Sequence, residues 1–418
     1  MSAPTPQSKG SLFIVFLTVF IDLLGFGIVL PLLPIYAKSF NVDASGWTIG
    51  FLMGSFSAMQ FLFAPIWGRL SDRYGRRPIL LIGLTGSVLF YSMFGLATSM
   101  SSLTWMFVSR FGAGIAGATI PTAQAYIADS TTKENRTRGM ALIGAAFGLG
   151  FTFGPLLAAT ALFTAGDAAI SPWPGYTAAG LSAFALILAL LKLPESRQPD
   201  SSPTAHRLFD LPALREALSI PTVGVLLLTS FVAVLSFAMF ESILSFLLKE
   251  PPKEPPEVGG FGFELIDVLL LFALVGFVHA LGQGMVRRIA KSVPEANLAT
   301  LGAVTSIIGF LLLVIATSQG SLPLLLTGMI VEAFGFAFIP ASIQSLISRR
   351  SDPARQGGIL GVAQSLSSLA RIGGHVVSFP LFYLTATAPF WTAAGLMGLA
   401  AVLITAVIRR GKDFEAAV

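Results

Sequence analysis

The sequence predicts an all-helical membrane protein, with twelve transmembrane helices in two pseudo-symmetric six-helix bundles. The first observation is compositional: of 418 residues, 54% are hydrophobic and 11% are charged, and the mean hydropathy is +0.79. A soluble domain carries about 25% charged residues, so this chain cannot cover a water-exposed surface of its own size. The second and third observations are the length of the apolar runs and the placement of the positive charges between them.

Twelve apolar runs are long enough to cross a membrane, since a helix needs about 20 residues to span roughly 30 Å of hydrocarbon. These predicted spans lie at about 12–34, 48–68, 79–98, 103–126, 138–162, 174–193, 221–247, 264–286, 297–317, 322–346, 357–382 and 388–409. The first run is preceded by a polar leader without a cleavage pattern, so we interpret it as a retained span. Strands of a membrane barrel are about ten residues long and alternate in polarity, which excludes that class.

The positive charges predict the orientation of the spans. Of the 26 Lys and Arg residues, 21 fall in alternate connections and at the termini, three fall in the other connections, and Arg110 and Arg371 lie within spans. Cytoplasmic segments carry the excess of positive charge, so both termini are expected in the cytoplasm. The same rule explains the net charge of +5, and no nucleic-acid partner is expected.

The longest cytoplasmic connection divides the chain after six spans. We therefore predict an N-terminal six-helix bundle at 1–193, a cytoplasmic linker with an amphipathic stretch at 194–220, and a C-terminal six-helix bundle at 221–418. The basic loop that follows span 2 has a weaker counterpart after span 8. Repeated six-span halves are typical of secondary transporters.

The loop between spans 2 and 3 reads GRLSDRYGRRPIL. Its glycines predict tight turns and close helix approach, its aspartate is expected to face the positive start of a neighbouring helix, span 11, and its arginines are expected to pair with acids. The positive-inside rule explains the arginines but not an aspartate and two glycines at fixed spacing. We interpret the set as a conformational latch, comprising Gly68, Asp72, Arg73, Gly75, Arg76, Arg77 and Asp129.

Span 5 reads GAAFGLGFTFGPLLAA and contains Gly150, Gly154 and Pro155. Small residues let membrane helices approach closely, and proline kinks a helix. Ordinary small-residue packing is the alternative interpretation.

These strings together resemble a known family. The loop resembles the G-x-x-x-D-R-x-G-R-R signature of the major facilitator superfamily, and span 5 resembles the G-x-x-x-G-P motif of its drug:proton antiporters. Arg110 in SLTWMFVSRFGAGIAGA resembles their span-4 arginine motif, and IDLLGFGIVLPLLP of span 1 is similar to the tetracycline-efflux branch. The resemblance implies a monomeric transporter of the bacterial inner membrane. Spans 3 and 9 lack the acids that tetracycline exporters carry there, which argues against tetracycline as the substrate.

Charged groups at membrane depth are costly and indicate functional sites. Asp22 lies about 15 Å into span 1, and Arg110 lies at a similar height in span 4 at 1.5 Å per residue. We expect the two to interact and Asp22 to carry the proton, with a permanent structural ion pair as the alternative. Glu332 in span 10 is a second candidate for a proton or a cationic substrate, and Gln60 is a candidate hydrogen-bonding partner of the substrate.

Arg371 and His375 lie one turn apart in span 11 and are expected to pair with Glu241 as an outer gate. His279 in span 8 is interpreted as a hydrogen-bonded packing residue. The chain has no cysteine and three histidines, so no metal site is expected.

The sequence has no phosphate-binding G-x-x-x-x-G-K-[ST] loop, no H-E-x-x-H motif and no convincing catalytic triad, so it predicts neither an enzyme nor a cofactor. It predicts a secondary active transporter that exports a lipophilic organic compound by proton-coupled antiport and alternating access. The expected partners are the small organic substrate, protons and the lipid bilayer. A facilitator or symporter of a polar metabolite, such as a sugar or organic acid, and a receptor on a transporter fold remain as alternatives.

Overall fold

The computed structural model describes residues 9–40, 45–131, 136–164, 170–196, 221–252, 259–290, 292–351 and 356–410. The predicted amphipathic stretch of the linker lies outside these residues. The described part contains helices and no strands. The helices of the first half are α1 Lys9–Val29, α2 Leu33–Lys38, α3 Trp47–Tyr74, α4 Arg76–Ser99, α5 Leu103–Gly117, α6 Ile120–Asp129, α7 Arg136–Thr164 and α8 Trp173–Lys192. Those of the second half are α9 Pro221–Lys249, α10 Leu265–Ile289, α11 Glu295–Gln319, α12 Leu322–Arg350, α13 Gln356–Leu384 and α14 Ala388–Arg410.

Ten of the described segments are long and apolar enough to cross a membrane. The predicted spans 4 and 11 are not among them. Span 4 is divided between α5 and α6, and span 11 corresponds to α13, a 29-residue helix that carries Arg371 and His375. The helical architecture is the one that the hydrophobic runs predict.

The chain divides into two compact units. The first comprises Met1–Phe40 and Ser55–Phe209, and the second comprises Asn41–Gly54 and Asp210–Val418. The main division falls within the predicted linker at 194–220. The sequence does not predict that the start of α3 belongs to the second unit.

Within the first unit, α1 packs against α7 and α8, and α4 packs against α5 and α8. Glycines let α1 and α7 touch along their backbones, because a Cβ atom on Gly154 would lie 2.7 Å from Gly27 Cα. A Cβ atom on Gly150 would lie 2.9 Å from Leu23 Cβ. The predicted close approach at the span-5 motif is therefore present, and Pro155 lies inside α7 without ending it.

In the second unit, α11 packs against α12 and α14, and α9 packs against α13 and α14. Small residues again allow close contact, since a Cβ atom on Gly309 would lie 2.7 Å from Glu332 Cα. Backbone approach of this kind is how helices associate where lipid offers no hydrophobic driving force.

The prediction of one continuous helix for span 4 is wrong, because the helix is interrupted at Ala118 and Thr119. Proline has no N–H group and removes the hydrogen bond to the carbonyl four residues earlier. Pro121 therefore leaves the Gly117 carbonyl without its helical donor. The Gln60 side-chain amide donates to that carbonyl at 3.2 Å. Trp67, two turns further along α3, donates its indole N–H to the Ile115 carbonyl at 2.7 Å.

Gln60 is thus a partner of the interrupted backbone, and its predicted contact with a substrate stays a prediction. Span 1 is interrupted in a similar way between Val29 and Leu33, around Pro31.

We expect Gln60→Leu to destabilise the protein by about 1–3 kcal/mol, the cost of leaving a buried carbonyl without a donor. Pro121→Ala restores an N–H group that can reach the Gly117 carbonyl. The cost of Gln60→Leu should therefore be smaller in the Pro121→Ala background, as measured by unfolding in mixed detergent micelles. Equal costs in the two backgrounds would show that Gln60 does not replace the bond that Pro121 removes.

Candidate functional site

Asp22 of α1 lies inside the first unit and faces α4. Its Oδ1 atom accepts a hydrogen bond from the Ser87 hydroxyl at 2.6 Å, and the residue lines a small cavity. Its other carboxylate oxygen makes no hydrogen bond with the described residues. The carboxyl group is therefore held by one neutral partner and not by a cation.

Arg110 of α5 is 2% exposed. Its guanidinium carbon lies 4.8 Å from the centre of the Phe56 ring, a cation–π arrangement. Its Nε and Nη1 atoms have no hydrogen-bond partner among the described residues. A buried guanidinium with unsatisfied N–H groups is costly, which marks Arg110 as a functional candidate.

The expected interaction of Asp22 with Arg110 is not a direct ion pair, because none of their charged atoms lie within 4.0 Å of each other. Tyr91 of α4 lies within electrostatic range of both side chains. Its ring occupies the space beside Gly25, where an added Cβ atom would lie 2.7 Å from Tyr91 Cε2. Counting residues along the spans placed Asp22 and Arg110 at the same depth. It could not give the direction in which each side chain points about its helix axis.

Sequence reasoning missed Ser87 and Tyr91. A signal existed, because the two residues lie four positions apart in α4 and so share one face of that helix. Their partners could not be named without the packing of α1 against α4.

Glu241 of α9 is buried and is the centre of a charge cluster in the second unit. Its Oε2 atom lies 3.4 Å from Arg371 Nη1 and 3.7 Å from His375 Nε2. The predicted grouping of these three residues is therefore confirmed as a contact. Their role as an outer gate stays a prediction.

Glu332 of α12 is 0% exposed, and neither carboxylate oxygen has a hydrogen-bond partner among the described residues. The backbone of Glu332 is held against Gly309, and its side chain lies within electrostatic range of Glu241. An isolated ion at this depth costs several kcal/mol. Glu332 therefore remains a candidate for binding a proton or a cation, and this role stays a prediction.

His279 is a packing residue, as the sequence predicts. Both of its ring nitrogens have hydrogen-bond partners. Its Nδ1 lies 3.4 Å from the Ala333 carbonyl, and the Gln283 amide lies 3.0 Å from Nε2. Since a carbonyl can only accept, Nδ1 carries the hydrogen and Nε2 accepts. Phe237 and Phe336 stack on each other beside this ring, with centroids 3.9 Å apart.

The predicted latch forms a compact network in the first unit. Arg76 contacts Asp72 at 2.5 Å and Asp129 at 3.0 Å, and it also donates to the Ser71 hydroxyl at 2.7 Å. The predicted pairing with Asp129 is therefore confirmed for Arg76. The contact of Asp72 with the start of span 11 stays a prediction.

The other two latch arginines have different neighbours. Arg77 donates to the Leu190 carbonyl at 2.8 Å, and the Arg73 guanidinium lies 5.3 Å from the Tyr74 ring centre. The ion pair with Asp129 that the structure describes is made by Arg76.

Glu195 completes the network and was missed by sequence reasoning. Its carboxylate accepts from the backbone N–H groups of Arg76 at 2.9 Å and Arg77 at 3.1 Å. A carboxylate at a helix start satisfies free N–H groups and complements the helix dipole. The sequence offered no signal, because the partner of Glu195 is backbone and lies more than a hundred residues away.

The two latch glycines differ in what they do. Gly75 has a φ of +104°, and a Cβ atom there would lie 2.5 Å from Glu195 Oε2. The predicted turn is therefore present at Gly75. Gly68 lies inside α3, and a Cβ atom there would meet nothing within 4 Å in the described structure, so the prediction of a turn or close approach is wrong for Gly68.

The family model described as Major Facilitator Superfamily matches residues 15–375. The chain belongs to the major facilitator superfamily. It is a multi-pass integral membrane transporter and not an enzyme, as the members of this transporter family are not enzymes.

This transporter is similar to two proteins of known family over nearly its whole length. It is 32% identical over 416 residues to the class C tetracycline resistance protein of Escherichia coli, covering 97% of this chain and 98% of the relative. It is also similar to the crystal structure of the human organic anion transporter MFSD10, with a TM-score of 0.71 and 27% identity over 96% of this chain and 100% of that one. The predicted resemblance to the tetracycline-efflux branch is confirmed.

The bacterial homologue of the lysosomal transporter Spinster shares the fold, with a TM-score of 0.74 at 14% identity over 97% of this chain and 98% of that one. At this identity the similarity concerns the fold alone.

We expect Gly75→Ala to destabilise the transporter by about 1–3 kcal/mol, because alanine is strained at this φ and its methyl group would displace Glu195. Gly68→Ala is the matched control from the same motif. It should leave stability unchanged or raise it by up to about 1 kcal/mol, since alanine favours a helix. Thermal unfolding in detergent measures both, and a larger loss for Gly68→Ala would contradict this assignment.

We expect Arg371→Leu to destabilise the second unit by about 3–5 kcal/mol, because it leaves Glu241 buried without its cation. The double variant with Glu241→Leu should recover much of that loss. Lys249→Ala breaks the exposed ion pair with Glu264 and should cost less than about 1 kcal/mol. Equal losses for Arg371→Leu and Lys249→Ala, measured by unfolding in micelles, would contradict the buried role of Glu241.

Proposed function

We propose that this transporter exports a lipophilic organic compound in exchange for protons by alternating access, with Asp22 as the proton carrier. The observation that carries this proposal is the environment of Asp22. The Asp22 carboxyl group lies within the first unit, beside a cavity, with a serine hydroxyl as its hydrogen-bond partner.

The absence of a direct ion pair matters for the mechanism. A carboxylate locked to an arginine keeps its charge, whereas one held by a hydroxyl can gain and lose a proton as its surroundings change. Asp22 has no charged atom of Arg110 within 4.0 Å. This supports a group that exchanges protons over the alternative of a permanent structural bridge.

Arg110 has a complementary role in the proposal. It is a buried positive charge within electrostatic range of Tyr91, which is itself within range of Asp22. Such a charge favours the ionised form of a nearby carboxyl group without fixing it in place. A movement of α1 or α4 that changes this separation would change how readily Asp22 takes up a proton, which is the coupling that antiport requires.

The relatives support an organic substrate. Proteins named for tetracycline resistance are about 30% identical to this chain, and one structural relative is named an organic anion transporter. Spans 3 and 9 carry no acid in this chain, and the α4 residue that contacts Asp22 is Ser87. A substrate other than tetracycline therefore fits better.

The cellular setting follows from the same reasoning. We propose a bacterial inner membrane with both termini in the cytoplasm, supported by the distribution of Lys and Arg and by the bacterial relatives. The latch network of Asp72, Arg76 and Asp129 would then lie at the cytoplasmic end. We propose that the transporter is a monomer, as its resemblance to the drug:proton antiporters implies.

The test uses proteoliposomes with an imposed pH gradient and a panel of fluorescent lipophilic compounds that includes tetracycline. We expect Asp22→Asn to abolish gradient-driven transport while expression and thermal stability persist, because the amide cannot carry a proton. Asp267→Asn removes an exposed acid at the start of α10 and should transport normally. Full pumping by Asp22→Asn would remove Asp22 from the mechanism.

A counterflow measurement distinguishes the alternative. Exchange of a sugar or organic acid that does not respond to the pH gradient would favour a facilitator of polar metabolites over a proton-coupled exporter.

A further inference from the structure

A small cavity lies next to Asp22 inside the first unit, between α1, α4 and α6. Its volume, counted as space open to the centre of a water molecule, is about 20 Å³. A site needs at least about 10–15 Å³ by this measure to hold one water. Its lining includes Thr18, Asp22, Leu80, Leu84, Thr119 and Ala123.

The polar residues that line this cavity have unused hydrogen-bonding capacity. Thr18 is 3% exposed, and its hydroxyl has no hydrogen bond in the described structure. Thr119 precedes α6 in the capping position, and its hydroxyl makes no capping hydrogen bond to that helix. One oxygen of Asp22 is satisfied by Ser87, and the other is not. Buried polar groups in this state are the usual partners of an internal water.

The interruption of span 4 contributes to this site. Because α6 begins at Ile120, its N-terminal end lies beside the cavity and the Asp22 carboxyl group. The N-terminal end of a helix carries partial positive charge and free N–H groups. An uninterrupted helix in span 4 would have neither this partial positive charge nor free N–H groups beside Asp22.

The cavity lies on one side of Asp22 along the helix axes. Thr18 is one turn closer than Asp22 to the Lys9 end of α1, and Leu80 and Leu84 lie between Ser87 and the start of α4. Ala123 lies between Thr119 and Asp129 in α6. The cavity is therefore on the side of Asp22 that faces the Arg76–Asp129 ion pair.

We propose that this cavity binds one water molecule that hydrogen-bonds to Thr18, Asp22 and Thr119, and that Asp22 exchanges its proton through this water toward the latch end. The proposal rests on the proposed role of Asp22 as proton carrier. In the exchange, the carboxyl O–H bond breaks and the cavity water accepts that proton. The cavity water then passes one of its own protons to solvent water at the latch end, which is the final proton acceptor. The proton route then runs inside the first unit.

The test is infrared spectroscopy of the lipid-reconstituted protein over a range of pH during a change from H2O to D2O. The carbonyl stretch of protonated Asp22 is assigned by its loss in Asp22→Asn. We expect Thr18→Val, which keeps the volume and removes the hydroxyl, to slow hydrogen–deuterium exchange of this band about tenfold, the effect of about one lost hydrogen bond. Thr18→Ser keeps the hydroxyl and should exchange like the wild type.

Thr122→Val is the matched control. Thr122 also carries a buried hydroxyl without a partner among the described residues, and it lies on α6 but does not line the cavity. It should leave the exchange rate unchanged. An experimental map that shows a water between Thr18 and Asp22 would support the site, and a dry cavity in such a map would overturn it.

The possible failures are distinguishable. If Thr18→Val exchanges as fast as the wild type while Asp22→Asn still abolishes transport, the water site is wrong and the proposed function stands. If the wild type shows no band assignable to Asp22 at any pH, the proton-carrier role itself is contradicted, and the water route falls with it.

Discussion

A polar group buried in a lipid bilayer must find its partner within the protein, and both units are built around this constraint. Where Pro121 removes a backbone donor, a side chain of α3 supplies another. Where α4 begins, the Glu195 carboxylate takes up its free N–H groups. Where Glu241 is buried, a guanidinium lies beside it. These partners come from distant parts of the chain, so each one also holds two helices together.

The groups that break this rule are the informative ones. Arg110 and Glu332 are buried charges with atoms that no described residue satisfies, and stability alone gives no reason to keep them. Asp22 is intermediate, with one oxygen satisfied and the other beside a cavity. A transporter must hold groups whose partner changes during its cycle, and an unsatisfied charge in the resting fold is a place for a proton or substrate to supply that partner.

The two units treat their buried acids differently. In the first unit the acid has a hydroxyl partner and a cavity, while its arginine stacks on Phe56. In the second unit Glu241 is paired directly with Arg371 and lies near His375. The repeated architecture therefore does not imply repeated chemistry. This difference supports our proposal of an exchangeable proton in the first unit and a more permanent charge pair in the second.

The sequence by itself determined most of the spans, the family, the pairing of Arg76 with Asp129 and the grouping of Glu241 with Arg371 and His375, because hydrophobic length, charge placement and one-turn spacing are local properties of the chain. It failed where the answer depended on how helices are rotated against one another. Counting residues along the spans placed Asp22 at the depth of Arg110. Only the packing of α1 against α4 showed that Tyr91 lies within electrostatic range of both side chains. Likewise, the partners of Glu195 and the Gly117 carbonyl are backbone groups, which no side-chain pattern can reveal and only the tertiary structure decides.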